Sequence, residues 1–298
     1  MRIMIEAAGS LVSSSTMRNI QKAGFTVIGT DSNPDSFGKY LCDEFYTVPA
    51  ASDPSSRDFL KELVRDKKID LVIPTLDEGM LAWAQMSEEL KKNGTSVSVS
   101  VPETIEICED KWLTYQKFIE NGIPTPKTSL ENIYPLVKPR NGRGGQGIRL
   151  NDRTVDMDGM ISQELLIGKE YTTDVLCDRD GEPVYIVPRR RLTVREGKST
   201  EGIVVRNDRI EEGIRAICKA FRFAGPVNIQ CFELENGEIR FTEINPRLGG
   251  GTTLGMAATE NWFPLIVDIF VNEKKVEATH PVQYGLKMSR YYNEVFYV

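Results

Sequence analysis

Near the end of the chain, Asn228–Arg247 reads as two apolar-alternating runs flanking Asn236-Gly237, the strongest hairpin signal a short stretch can carry. A two-residue turn there pairs Leu234 with Ile239, Glu233 with Arg240, Cys231 with Thr242 and Gln230 with Glu243. Side chains alternate along strands, so Gln230, Phe232, Leu234, Ile239, Phe241, Glu243 and Asn245 are expected on one face. The four apolar ones read as core, and the three oxygen-bearing ones cluster at the open end. Glu233 and Arg240 meet on the other face as an ordinary cross-strand ion pair. One carboxylate with two amide oxygens at the mouth of a sheet suits a hard cation such as Mg²⁺. Arg247, just beyond, suits a phosphate.

The 298 residues leave room for two or three domains. A net charge of −6 argues against a nucleic-acid surface, which carries a basic patch. No apolar run is long enough to span a bilayer, and Met1–Glu6, short and acidic, reads as a first strand rather than a signal peptide. The cysteines, Cys42, Cys108, Cys177, Cys218 and Cys231, are widely spaced without a C-x-x-C, as expected of reduced, mostly buried thiols in a cytoplasmic protein. The single histidine, His280, sits beside Pro281 in a loop, which excludes a histidine-based zinc site. It also leaves a Ser-His-Asp triad without a G-x-S-x-G to support it. The chemistry falls to carboxylates, lysines, arginines and a metal.

Over the first hundred residues short apolar strands (Arg2–Ala7, Phe25–Thr30, Phe45–Val48, Ile69–Pro74, Val97–Val101) alternate with helices (Thr16–Ala23, Asp58–Lys67, Glu78–Asn93), which predicts a parallel, doubly wound sheet. The first turn, Ala7-Ala8-Gly9-Ser10-Leu11, lacks the glycines of a dinucleotide fingerprint. Thr75, Asp77 and Glu78, after a strand, lie where a substrate cleft forms. Equally, Asp77 and Glu78 are acids that favour a helix N-terminus. Beyond Pro102 come helices Thr104–Cys108 and Lys111–Asn121, a Pro-rich linker, and strands Tyr134–Pro139, Ile148–Leu150 and Met160–Leu166. Then follow strands Glu170–Cys177 and Pro183–Val194, a glycine-containing break, helix Ile210–Phe223, the hairpin, helices Thr252–Thr259 and Phe263–Val271, and a strand at Gln283–Arg290. The fold class is α/β, becoming α+β in the C-terminal half, and the expected division is residues 1–103, 104–167 and 168–298.

Between Lys138 and Gly147 the chain reads Lys-Pro-Arg-Asn-Gly-Arg-Gly-Gly-Gln-Gly. A loop with so little side-chain bulk lets backbone N–H groups, those of Gly144 and Gly145 among them, approach an anion. Lys138 adds a point charge, and Arg140 and Arg143 add positive potential. It is not a Walker A loop, since the lysine precedes the glycines. The alternative is a plain flexible hairpin loop. In Gln163–Glu170 an apolar strand runs into a turn with two acids, and beside a phosphate loop Glu170 is placed to accept from ribose hydroxyls. In Pro188–Arg195, Arg189 and Arg191 share one strand face; they serve either a phosphoryl group or substrate carboxylate, or a charge-protected sheet edge.

Taken in order, these segments resemble the ATP-grasp superfamily over nearly the whole chain, in particular its carbamoyl-phosphate-synthase-like and small amino-acid ligase branch, including the pyrrolysine-pathway type. The resemblance implies a Rossmann-like pre-ATP-grasp domain followed by a two-part ATP-grasp fold: a lid with the glycine loop, then a catalytic domain. It implies ATP contacts at Lys111 and Lys138 with the glycine loop, adenine contacts around Gln163, Glu164 and the Leu166 backbone, and a ribose contact at Glu170. Mg²⁺ (one or two ions, with Mn²⁺ as a substitute) is expected on Gln230, Glu243 and Asn245, and phosphate or substrate on Arg247, Lys138, Arg191 and Arg189. Many relatives place a carboxylate where Gln230 stands, so one of two metal ions is expected to bind weakly. The chain is short for the extra C-terminal domain of some relatives. The implied activity is ligation of a small-molecule carboxylate, an amino acid or similar metabolite, to an amine through an acyl-phosphate. Carbamoyl-phosphate-synthase-like phosphorylation of a carboxy or carbamate intermediate, or a nucleotide-binding regulator without turnover, are the alternatives. A homodimer is compatible with the resemblance.

Overall fold

The structure is a computed structural model that describes residues 1–142, 145–195, 198–291 and 293–297. The N-terminal strands are β1 (Arg2–Ile5), β2 (Thr26–Asp31), β3 (Glu44–Thr47), β4 (Leu71–Ile73) and β5 (Ser96–Val97). They alternate with helices α1 (Ser13–Lys22), α2 (Ser56–Asp66) and α3 (Asp77–Lys92). The strands pair in parallel in the order β3-β2-β1-β4-β5, the doubly wound sheet the alternation predicts. Both faces are covered, as parallel sheets require. Ile3 and Ile5 enter one core and Met4 a second, with Ile28, Val72 and Trp83. At the first turn, Asp31 Oδ2 accepts the Gly9 N–H at 2.7 Å, so the chain's own loop takes the acid that a dinucleotide ribose would use.

Helices α4 (Pro102–Glu109) and α5 (Lys111–Glu120) lead into a four-stranded antiparallel sheet. Its strands are β6 (Thr128–Ser129), β7 (Leu136–Pro139), β8 (Arg149–Leu150) and β9 (Met160–Gln163), in the order β6-β9-β7-β8. Next come β10 (Gly168–Cys177), β11 (Pro183–Arg195), β12 (Lys198–Val204), α6 (Asp208–Phe221), β13 (Gly225–Leu234), β14 (Ile239–Asn245), α7 (Thr252–Ala257), α8 (Trp262–Phe270) and β15 (Lys287–Ser289). The strands among them form a second antiparallel sheet, β14-β13-β10-β11-β12-β15. Strand β12 occupies the stretch expected to be a break, and it makes β11 an interior strand, not an edge. In α6, Asn207 caps the start by accepting from Ile210 N. Ile210, Ile214, Ile217 and Phe221 are buried at helical spacing against Cys231 and Phe241 of the hairpin, each contributing about 1.5–3 kcal/mol by burial. With that face of the sheet sealed, the other carries the functional groups. Trp262 and Phe263 of α8 share a core with Ile3, Ile5 and Val27, joining the N-terminal sheet to the C-terminal half.

The hairpin has the expected register at its open end, with Gln230 opposite Glu243 and Asn228 opposite Asn245, but not at its turn. Three residues form the loop: Gly237 has φ +79° and donates to Leu234 O, while Leu234 N–H donates to Glu238 O. This is the three-residue alternative to the two-residue Asn-Gly turn. A bulge between Gln230 and Cys231 then restores register by leaving Thr242 as the extra residue. The face assignment is corrected accordingly. Phe241 lies opposite Cys231 and joins Ile239 in the core, while Phe232 stays on the side of Gln230. Glu233 does not pair with Arg240. It accepts from Tyr171 Oη at 2.8 Å and lies 3.6 Å from Lys169 Nζ, whereas Arg240 pairs with Glu238 and donates to Thr125 O.

All five cysteines are free, four of them buried, and burial pushes the Cys108 and Cys231 thiols up. His280 is exposed beside Thr279 and Glu260. Among the described residues no helix is long and apolar enough to cross a membrane.

Candidate active site

A cleft of about 310 Å³ opens between the four-stranded sheet and the hairpin. Of the residues nominated from sequence, Lys111, Lys138, Gly145, Gln163, Glu164, Leu166, Glu170, Arg191, Gln230 and Glu243 all line it. Gly144 lies outside the described residues, as does Arg143.

Strand β7 delivers Lys138 into the cleft wall. Its ammonium is buried and donates to Gln163 Oε1 at 2.9 Å, and Gln163 Nε2 donates in turn to Thr128 Oγ1. Burial lowers the Lys138 pKa from its ordinary 10.5 to about 8, with Glu243 opposing that fall and Lys111 adding to it. A desolvated cation held by a single amide oxygen is poised for an anion. The side chain of Gln163 thus positions Lys138 in the cleft wall. Glu164 is likewise engaged: its Oε2 accepts the Lys127 N–H at 3.0 Å.

Lys111 opens α5 directly after Asp110, which caps the helix by accepting from Trp112 N and Leu113 N. Its ammonium donates to Gly142 O at 2.7 Å and to Arg140 O at 3.3 Å, tethering the start of the glycine loop. Arg140 is held by Asp110. It braces that tether and does not point at an anion; the Glu-Asp-Lys sequence gave no sign of this pairing. Across the cleft, Arg191 of β11 pairs with Glu170 of β10. Phe232 and Thr242 also line the cleft, Thr242 because of the bulge.

Glu243 faces Gln230 across the hairpin, and Asn245 Nδ2 donates to Glu243 Oε1 at 3.3 Å. Among the described residues no group of three or more His, Cys, Asp or Glu forms a metal cage. The Glu243 carboxylate with the Gln230 amide oxygen fits Mg²⁺ in its usual protein setting, bound through one or two carboxylates together with substrate phosphates, while Asn245 lies outside the cleft lining with its Oδ1 accepting from Arg247 Nη2 at 3.3 Å. Arg247 is not open to the cleft. Both arms of its guanidinium meet Asp77 at the start of α3, Nε to Oδ1 and Nη2 to Oδ2, each at 2.5 Å. Asp77 thus does more than favour a helix N-terminus: it ties the N-terminal sheet to the end of β14.

Arg189 is 1% exposed and lies outside the cleft, bonded through Nε and Nη2 to Asp174.

Above the carboxyl ends of the N-terminal strands a second cavity, about 410 Å³, is lined by Glu6, Asp31, Glu78 and Trp83. Glu6 accepts from Trp83 Nε1 at 2.9 Å and from Thr75 N at 3.2 Å, and burial pushes its carboxyl pKa up.

Residues 156–293 match the family described as "ATP-grasp in the biosynthetic pathway with Ter operon", and residues 3–98 match "PylC-like, N-terminal domain". The chain carries an ATP-grasp domain behind a PylC-like N-terminal domain. It is homologous to the large chain of carbamoyl phosphate synthase: the Methanothermobacter thermautotrophicus protein is 24% identical over 288 residues, covering 83% of this chain but 27% of the relative. The 3-methyl-D-ornithine–L-lysine ligase of Methanosarcina barkeri is 25% identical over 162 residues, 53% of this chain and 43% of that one. In fold, the chain is similar to the biotin carboxylase domain of Hydrogenobacter thermophilus 2-oxoglutarate carboxylase, solved as a dimer with MgADP and bicarbonate. The TM-score is 0.74 at 14% identity, over 96% of this chain and 73% of that one.

Proposed function

We propose that this protein is an ATP- and Mg²⁺-dependent carboxylate–amine ligase that forms an amide on a small metabolite of the amino-acid class. The observation that carries the reading is the buried Lys138 ammonium across the cleft from Glu243, with Lys111 at the loop above it. Two ammoniums facing a carboxylate across one cleft suit a polyphosphate and its metal ion. ATP is the substrate of the cleft, its ribose hydroxyls at Glu170 and its phosphates at Lys138, Lys111 and the glycine loop. Residues 104–167 act as lid and 168–298 as catalytic piece. Glu243 and Gln230 would hold Mg²⁺, which when bound neutralises charge on the phosphates.

A substrate carboxylate oxygen attacks the γ-phosphorus, and the bond to the ADP oxygen breaks. Lys138 stabilises the charge moving onto the phosphates. The amine nitrogen then attacks the acyl carbon, the bond to phosphate breaks, and the departing phosphate takes the amine proton. No protein nucleophile is required, which suits a chain whose one histidine is exposed. Arg247 reaches phosphate once Asp77 releases it, so substrate entry from the side of the N-terminal cavity and phosphate binding are linked at one ion pair.

Incubation with MgATP and a panel of amino acids, read as ADP release, tests the reading; stimulation by a carboxylate–amine pair is expected. The similarity to carbamoyl phosphate synthase supports a second reading, phosphorylation of a carboxy or carbamate intermediate. It gains if bicarbonate with ammonia alone drives ADP release.

A further inference from the structure

The linker Ile123-Pro-Thr-Pro-Lys-Thr128 is bonded to both sheets that face the cleft, and three successive carbonyls in it each have their own donor. Pro124 O accepts the Phe241 N–H at 2.8 Å and Thr125 O accepts from Arg240 Nη1 at 2.9 Å, both donors on β14. Pro126 O accepts from the Thr128 hydroxyl at 3.0 Å. Next to it, Glu164 N donates to Lys127 O at 2.9 Å and Lys127 N to Glu164 Oε2 at 3.0 Å. Pro124 and Pro126 have fixed φ and restrict the residue before each. The segment is therefore a short, stiff strap from the strand that carries Glu243 to the sheet that carries Lys138.

The strap ends in β6, where Thr128 stands directly opposite Gln163 of β9. Lys138 of β7 is diagonal to Gln163, whose direct partner is Leu136, so the three side chains share one face of neighbouring strands. All three are buried. Their hydrogen bonds can run in one direction only. An ammonium donates and cannot accept, so Lys138 requires the carbonyl end of the Gln163 amide. The Thr128 hydroxyl proton is committed to Pro126 O, so toward Gln163 Nε2, 2.9 Å away, the hydroxyl oxygen can only accept. Both ends demand the same orientation of the amide. With one of its three donors engaged by Gln163, the ammonium keeps two for an anion in the cleft.

We infer that Thr128 is a positioning residue for phosphate binding: anchored on the strap at Pro126, it fixes the Gln163 amide and through it aims the Lys138 ammonium at phosphates held opposite Glu243. Without the hydroxyl, nothing specifies which end of the amide meets Lys138, and the amide N–H₂ is left buried without an acceptor. The inference rests on the ATP reading of the cleft for the identity of the anion.

The probes are ADP and adenosine, titrated calorimetrically with Mg²⁺ into the full chain and its variants. Thr128→Val keeps the branched shape without the hydroxyl and should bind ADP about tenfold more weakly than the wild type, the worth of a charged hydrogen bond. Adenosine has no phosphate for Lys138 to meet, so its affinity should change by less than about twofold. Thr128→Ser keeps the hydroxyl and should hold ADP affinity within about twofold of the wild type. Introduced into Lys138→Met, Thr128→Val should weaken ADP by less than about twofold further, because the two residues act as one unit. Thr128→Ala, also without a hydroxyl, carries the same expectations and keeps the test readable if Thr128→Val fails to fold. Unchanged ADP affinity in the hydroxyl-free variants overturns the role of Thr128 while the ATP reading stands. An equal loss for ADP and adenosine, or a fully additive loss on top of Lys138→Met, also overturns it, since Thr128 then acts through the fold and not through the lysine. A wild type that does not bind ADP overturns the ATP reading and the role with it.

Discussion

Replacing Lys138 by methionine removes a charge from a place where the fold itself gains nothing from it. The folded-state pKa of about 8 lies below the ordinary 10.5, so burying the ammonium costs about 3 kcal/mol at neutral pH. The replacement also strands Gln163 Oε1, which costs about 1–3 kcal/mol. The net change at pH 7 is therefore small, roughly 0–2 kcal/mol in favour of the variant. The pH dependence is sharper. Below about pH 8 the lysine is charged in both states and its full burial cost is present. Between about 8 and 10.5 the unfolded chain holds the proton and the folded chain does not, so wild-type stability rises with pH across that window. From pH 7 to 9.5 the wild type should gain about 2 kcal/mol relative to Lys138→Met. Urea denaturation of both proteins at the two pH values measures this difference, with every other titrating group cancelling to first order. A difference that stays within about 0.5 kcal/mol would refute a buried cation at Lys138. The same lysine should make ADP binding weaken as pH rises through 8 in the wild type, while Lys138→Met binds ADP about 10–100-fold more weakly than the wild type below pH 8, the worth of a charged hydrogen bond, with the gap narrowing above it.

Three further outcomes follow from the hairpin and its neighbours. Glu243→Gln should lower Mg²⁺-dependent ATP turnover by at least about 10²-fold while leaving the circular dichroism spectrum intact; unchanged kinetics remove Glu243 from the metal site. Glu233→Gln, whose carboxylate faces Tyr171 and Lys169 away from the cleft, should leave turnover within about twofold, an effect well under 1 kcal/mol. A loss as large as that at Glu243 means the strand faces the other way. Asp77→Asn should destabilise the protein by about 1–2 kcal/mol in urea, a value discounted for partial exposure of the Arg247 pair. It should also tighten binding of inorganic phosphate, which then meets an unopposed Arg247; no change in phosphate affinity separates Asp77 from phosphate binding.

Much of this architecture is legible in the chain before any coordinates. Apolar strands alternating with helices specify the parallel sheet, since only such a sheet buries both faces of Ile3-Met4-Ile5. The glycine loop, Lys138, Glu170 and the Gln230–Glu243 pair were identifiable because each combines residue chemistry with a local period or turn. The misreadings share a cause: they turn on partners distant in sequence. Asn236-Gly237 signals a hairpin but not whether its loop holds two or three residues. The Thr242 bulge that corrects the register carries no signature, so Phe232 and Phe241 were assigned to one face. Arg189 and Arg191 do share a strand face, yet Asp174 and the Gly249–Gly251 segment bury one while the cleft receives the other. Strand β12, with apolar residues only at its end, is a strand because β11 and β15 flank it. The Asp77–Arg247 pair spans 170 positions and no local pattern announces it.

Hydroxylamine trapping puts the central claim to the most direct test. The enzyme is incubated with MgATP, hydroxylamine and the carboxylate that stimulates ADP release, with no amine present. An acyl-phosphate loses phosphate to the attacking nitrogen and leaves a hydroxamate, so the account predicts hydroxamate in step with ADP, and neither product from Glu243→Gln. ADP release in the presence of that carboxylate without hydroxamate would contradict it.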